Sequence, residues 1–144
     1  MSDLERAKAL LDSHSDYTCV LCRENQVYKS RLRGIRPLLQ FLSEGTSLKG
    51  FSAADRIVGK AAAMLFVLAE VKEVFAPVMS AGAIEAFRKH EISASCNQCV
   101  QTIVNRSGSG PCPMELAVAQ ISDPQEALHA VRETAERLAR RQEP

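Results

Sequence analysis

The sequence predicts an α/β domain in which a mixed sheet carries helices on both faces, and three observations point there. First, the strand-forming run Tyr17-Thr-Cys-Val-Leu-Cys22 is resumed after the polar Arg23-Glu-Asn by Gln26-Val-Tyr-Lys29, the pattern of a hairpin with a buried first strand. Second, strand, helix and strand follow one another between Val71 and Ser95, a βαβ unit that requires a parallel pair. Third, 144 residues with 46% apolar and 24% charged side chains can bury about two-thirds of the unfolded chain's surface, enough for one real core.

The elements follow in order. Ser2 stands three residues before Glu5 in capping-box spacing, and Leu4, Ala7, Leu10 and Leu11 then share one face of an amphipathic helix. After the hairpin, Pro37 suits the first turn of a short helix bearing Leu38, Leu39, Phe41 and Leu42 and ending near Gly45. Ser47 to Arg56 is expected to open the longest apolar helix, with Ile57, Ala61, Leu65 and Leu68 as its buried stripe and Val58, Ala62 and Phe66 beside it. So wide an apolar arc places that helix centrally. Val71 to Met79 reads as a strand, Ala83 to His90 as a helix and Ile92 to Ser95 as a short strand. A glycine-rich loop, a short helix from Pro113 and a last helix capped by Ser122-Asp-Pro-Gln complete a single domain over residues 1–144.

Composition excludes several function classes. Eighteen Lys plus Arg against 17 Asp plus Glu leave a formal charge of +1, and with few aromatics and no Trp there is little basis for a nucleic-acid surface. No apolar stretch approaches the roughly 20 residues of a spanning helix. The N-terminus lacks the order of a signal peptide, and an odd number of cysteines fits reduced thiols better than a secreted disulfide framework, so a cytoplasmic protein without membrane attachment is expected.

The most site-like stretch is Asn105-Arg106-Ser-Gly108-Ser109-Gly110-Pro-Cys112-Pro-Met-Glu, where a Ser/Gly loop delivers the chain onto a helix whose first position is Pro113. Cys112 is expected at or beside the N-cap, where free N–H groups and the dipole stabilise an anion, either a bound phosphate or carboxylate or the thiolate itself. Arg106 adds a cation; the bland alternative is a surface loop with a merely capping cysteine. The second stretch is Lys49-Gly50-Phe-Ser52-Ala-Ala-Asp55-Arg, read as another polar entry to a helix start. Ser52 and Asp55 have capping-box spacing, so Asp55 either holds its own helix or presents a carboxylate to a cleft, with Lys49 and Gly50 nearby. Gly59-Lys60 is not a P-loop, because the earlier glycine is absent and Ala61 stands where Ser or Thr is needed.

The pairs Cys19/Cys22 and Cys96/Cys99 have zinc-ligand spacing. On a strand, however, residues three apart face opposite ways, so Cys19 and Cys22 cannot chelate one ion, and no metal site is expected. Cys96-Asn-Gln-Cys99 could open a helix that activates its first thiol. His14, His90 and His129 have no ligand-spaced partners and read as solvated residues.

With these segments in place, the chain resembles over nearly all its length the bacterial domain-of-unknown-function family number 1893. The matching motifs are Tyr17-Thr-Cys-Val-Leu-Cys, Leu48 to Ala63, Ala76-Pro-Val-Met-Ser, and Asn105 to Glu115. The resemblance implies a three-layer α/β/α sandwich of the cytidine deaminase-like fold. Zinc deaminases carry a His-x-Glu and a Pro-Cys-x-x-Cys at two helix starts; Ser52 to Asp55 and Pro77 to Ala81 are aligned with those places and lack the His and Cys ligands.

Fold does not supply function. The leading expectation is a domain, free of zinc and cofactor, that binds an anionic or nucleotide-like small molecule between the helix starts at Ser52 and Cys112. Its rivals are a thiol enzyme with Cys112 as nucleophile assisted by Asp55 or Asn105, and an interaction module holding zinc through the CxxC pairs. Catalysis and homo-oligomerisation are left open; a zinc-dependent deaminase is not expected.

Overall fold

The protein is described by a computed structural model covering residues 1–105 and 107–142. Among these, α1 (Asp3–Ser13) precedes the hairpin β1 (Cys19–Arg23) and β2 (Gln26–Ser30), and α2 (Arg36–Ser43) follows it. Next come β3 (Ser52–Asp55), β4 (Ile57–Val58), α3 (Lys60–Leu68), β5 (Glu73–Ser80), α4 (Ala81–Lys89), β6 (Ser93–Val100), α5 (Pro113–Val118) and α6 (Pro124–Gln142). The six strands form one mixed sheet. β1 runs antiparallel to β2 and β3, while β5 is parallel to β3, β4 and β6.

The alternation of β1 shows the layers. Val20 and Cys22 pack against Ala7 and Leu11 of α1, whereas Cys19 and Leu21 point into the larger core built with α2, α3 and α4. Helices therefore cover both faces, as expected, but among the described residues α1 alone covers one of them. Helix α3 touches α2, α4, α5 and α6, which is the central position its apolar composition predicts. Ser2 caps α1, its hydroxyl accepting from the Glu5 N–H at 3.1 Å.

Three expectations need correction. Ser52–Asp55 is not a helix start: it is the central strand β3, buried at all its positions and held between β1 and β5. A strand buried on both faces shows no alternation, and with Ala54 beneath α1 and Ala53 in the larger core tertiary packing overrides helix propensity. Helix α3 begins only at Lys60, and Ile57, expected in its buried stripe, lies on β4 and is 54% exposed. The strand expected over Ile92–Ser95 runs on to Val100, so Cys96 and Cys99 stand on β6 and open no helix.

The break between β3 and β4 has a local cause. Ser52 pairs with Glu73 and Ile57 with Val78, the same offset, so the two are one strand interrupted at Arg56. Arg56 falls opposite Pro77, which has no N–H to give to a ladder. The Asp55 carboxylate accepts from the Arg56 N–H at 2.7 Å and from the Ile57 N–H, satisfying amides at the break. The freed Arg56 side chain donates to the carbonyls of Leu11, His14 and Tyr17 at 2.8, 3.1 and 3.0 Å and fastens the end of α1 to the sheet.

Candidate functional site

Helices α3 and α4 both start at the C-terminal end of the parallel strands. Gly59 caps α3 in an extended conformation and has no side chain to offer the first amides. Glu115 of α5 supplies the acceptor instead: its Oε1 takes the Lys60 N–H at 2.7 Å and its Oε2 the Ala61 N–H at 2.9 Å. The approach is close enough that a Cβ on Gly59 would lie 2.0 Å from Glu115 Oε1 and 2.9 Å from Ile103 Cγ1. A carboxylate is the group a helix N-terminus favours, so the anion expected at a helix start is present, but it belongs to the chain itself.

The start of α4 is capped by Ser80, whose hydroxyl accepts from the Ala83 N–H at 3.1 Å. Gly82 then lies against the Lys60 stem, 3.4 Å from its Cβ to where a glycine Cβ would stand. Between the helices runs a cleft of about 130 Å³, floored by Met64, Ala86 and Ile121. Lys60, Lys89 and His90 bring basic groups to it, and Ser122 brings a hydroxyl. Glu85 is the acidic residue on the lining and is already paired with Arg88. The Lys60 ammonium also reaches the Ala119 carbonyl at 3.3 Å.

The residues singled out from sequence are divided by the sheet. Lys49 and Gly50 form the turn entering β3, with Gly50 at φ +78° and Arg23 Nη1 donating to the Lys49 carbonyl at 3.0 Å. Ser52 follows, its hydroxyl donating to Glu73 Oε2 at 2.6 Å. The glycine-rich loop lies beyond the other end of this strand: Cys112 donates its N–H to the Ile103 carbonyl, and Ile103 touches Gly59. Seven residues of extended chain, Ser52 to Val58, put about 20 Å between the two groups. The structure therefore does not bring Lys49, Gly50 and Ser52 to the loop.

Within the loop, Asn105 Oδ1 accepts from the Ser109 N–H at 3.0 Å and from the Ser107 hydroxyl at 3.1 Å, and its Nδ2 donates to Ser109 Oγ at 3.2 Å. Gly108 makes the turn at φ +72°, and Gly110 returns its carbonyl to the Asn105 N–H at 2.8 Å. Arg106 lies outside the described residues. Cys112 is the N-cap of α5 as expected; its carbonyl accepts from Glu115 and Leu116, and its half-buried thiol makes no capping bond. Asp55 faces Cys19 across the β1–β3 ladder. Burial raises its carboxyl from the ordinary 3.8 to about 7, against the two backbone N–H bonds and the Arg56 charge, which pull it down. Burial, with the neighbouring Asp55, also pushes the Cys19 thiol well up.

A family model described as a domain of unknown function, DUF1893, matches residues 6–135. The chain belongs to the DUF1893 family. Among solved structures, it is similar to that of a DUF1893 family protein (TM1506) from Thermotoga maritima, with 22% sequence identity, a TM-score of 0.82, and coverage of 92% of this chain and 90% of that one. At that identity the likeness speaks for the fold. No curated protein matches the chain.

In this DUF1893 chain, sequence reasoning missed the contact of Glu115 with the start of α3. Glu115 was visible only as the end of the glycine-rich motif, because its partners stand on a helix far away in sequence. His90, read from the sequence as a solvated residue, is exposed, as is Lys89 beside it, and both line the cleft. The CxxC pairs behave as strand residues do: Cys19 and Cys22 are both buried, on opposite faces of the sheet. Among the described residues no group of three or more His, Cys, Asp or Glu side chains is arranged to hold a metal, and no helix is long and apolar enough to cross a membrane.

Proposed function

We propose that this protein binds a small anionic or nucleotide-like molecule in the cleft between α3 and α4, on a cytidine deaminase-like scaffold that uses no zinc. The observation that carries this reading is the convergence of Lys60, Lys89 and His90 on one cleft in a chain of almost balanced charge. The cleft runs along both helices, from Lys60 and Gly82 near their starts to Lys89 and His90 at the end of α4. A cleft of about 130 Å³ takes a phosphate or carboxylate group and leaves the rest of a larger ligand at the surface. Glu115 already occupies the first amides of α3, so side chains rather than the helix terminus hold the anion.

The helix starts support the zinc-free part of the proposal. Gly59-Lys60-Ala61, the start of α3 in place of Ser52–Asp55, and Ser80-Ala81-Gly82, the start of α4 at the end of Pro77–Ala81, contain no His and no Cys. Five thiols without a disulfide fit a reducing, cytoplasmic setting.

The test is a titration with inorganic phosphate and with a nucleoside monophosphate, followed by amide chemical shifts. Binding should move Gly82 and Ser122, and the double variant Lys60→Ala with Lys89→Ala should weaken it at least ~10-fold, the loss of about 1.4 kcal/mol. Shifts centred on Lys49 and Arg23, or affinity unchanged in the double variant, would overturn the assignment.

A further inference from the structure

We infer that β6 is an association edge whose partner is a second copy of this chain, the two β6 strands pairing antiparallel about a two-fold axis to join both sheets into one.

The sheet has two outer edges, and they are treated differently. β2 is five residues long, carries the exposed Lys29 and runs directly into the exposed Arg31, so it is short and charged as guarded edges are. β6 is eight residues, Ser93-Ala-Ser-Cys-Asn-Gln-Cys-Val100, with no charge and no proline. One side pairs with β5 from Glu73↔Ser93 to Ser80↔Val100, with a gap at Pro77 and Asn97. On the other side, among the described residues, no segment pairs with it. In a parallel ladder alternate residues turn both N–H and C=O away from the neighbour, so β6 presents a row of free donors and acceptors to solvent. A long, uncharged edge of this kind is a template for another strand.

The chemistry of the strand selects a copy of itself. A two-fold axis normal to the sheet places residues an even number of positions apart opposite one another, so the Ser95 and Asn97 side meets its own kind, and the Ala94, Cys96 and Gln98 side does the same. Hydroxyl and amide side chains satisfy each other in such a pairing, and no like charges are brought together. A foreign extended peptide is chosen through side-chain pockets flanking the edge. The cleft between α3 and α4 is lined by no β6 residue. The near-zero net charge adds little repulsion between copies.

Light scattering on a sizing column tests the inference with the intact chain and the variant Ser95→Lys with Asn97→Lys, both at exposed positions. The wild type should show twice the 15.8 kDa chain mass, and the variant the single mass with an unchanged far-ultraviolet spectrum. Hydrogen exchange of the wild type gives a second readout that needs no variant: protection of β6 amides should rise with protein concentration. A wild type of single mass at high concentration would overturn the proposal and leave the edge to an extended segment of another protein. A double mass retained in the variant would overturn it as well, by placing the contact elsewhere.

Discussion

Replacing Asp55 by Asn should make the protein more stable at neutral and alkaline pH and remove much of its pH dependence. Asp55 is 7% exposed and titrates near 7 in the fold, against 3.8 ordinarily. The folded protein therefore holds a proton that the unfolded chain has released. Stability from this group is full below 3.8, falls as pH rises toward 7, and stays low above it. At about 1.4 kcal/mol per pH unit, the wild type should lose ~3 kcal/mol relative to Asp55→Asn between about pH 5 and about pH 8. Asn keeps an oxygen for the Arg56 and Ile57 amides and never ionises, so the variant isolates the charge from the hydrogen bonds. Urea unfolding of both proteins at the two pH values measures the difference, which at ~1–3 kcal/mol per molar urea moves the midpoint by more than ~1 M. Parallel pH profiles for the two proteins would refute the reasoning, since the buried carboxyl would then not be the group that titrates.

Three further outcomes follow from the geometry. Glu115→Ala should cost ~2 kcal/mol by stripping the acceptor from two amides of α3, and Gly59→Ala should cost a similar amount by displacing the same carboxylate. Combined, the two should fall well short of additivity in thermal or urea unfolding, while a simple sum would show that they do not meet. Arg56→Met keeps the apolar stem but frees the carbonyls of Leu11, His14 and Tyr17, so it should cost ~2 kcal/mol and raise hydrogen exchange at the end of α1 before elsewhere. Brief iodoacetamide treatment read by mass spectrometry should leave the buried Cys19 and Cys22 unlabelled. Exposure alone puts Cys99 first, so labelling of Cys112 ahead of Cys96 and Cys99 is what a nucleophilic role for Cys112 requires.

The elements legible in the chain were those whose signals are local. Ser2 with Glu5, the hairpin around Glu24-Asn25, Pro37, Pro113 and Ser122-Asp-Pro each mark a boundary through a cap or turn a few residues long, and the structure places helices or strands beside all of them. The βαβ order from β5 to β6 was legible for the same reason. Cys112 at the start of α5 belongs with these, because a glycine-rich loop followed by Pro113 is also a local instruction.

Local pattern by itself determined that the chain has a hairpin, a βαβ unit and amphipathic helices, and so that it is a mixed α/β domain. Only the tertiary structure decided that Ser52–Asp55 is a strand, because a segment buried on both faces has no polar period for a sequence to display. It also decided that Lys49, Gly50 and Ser52 lie about 20 Å of strand away from the loop they were expected to join. The same holds for Glu115, whose carboxylate meets the amides of Lys60 and Ala61 only because α5 packs across the start of α3. Caps and turns act between neighbours in the chain, whereas burial and the meeting of helix ends depend on what the rest of the fold lays against them.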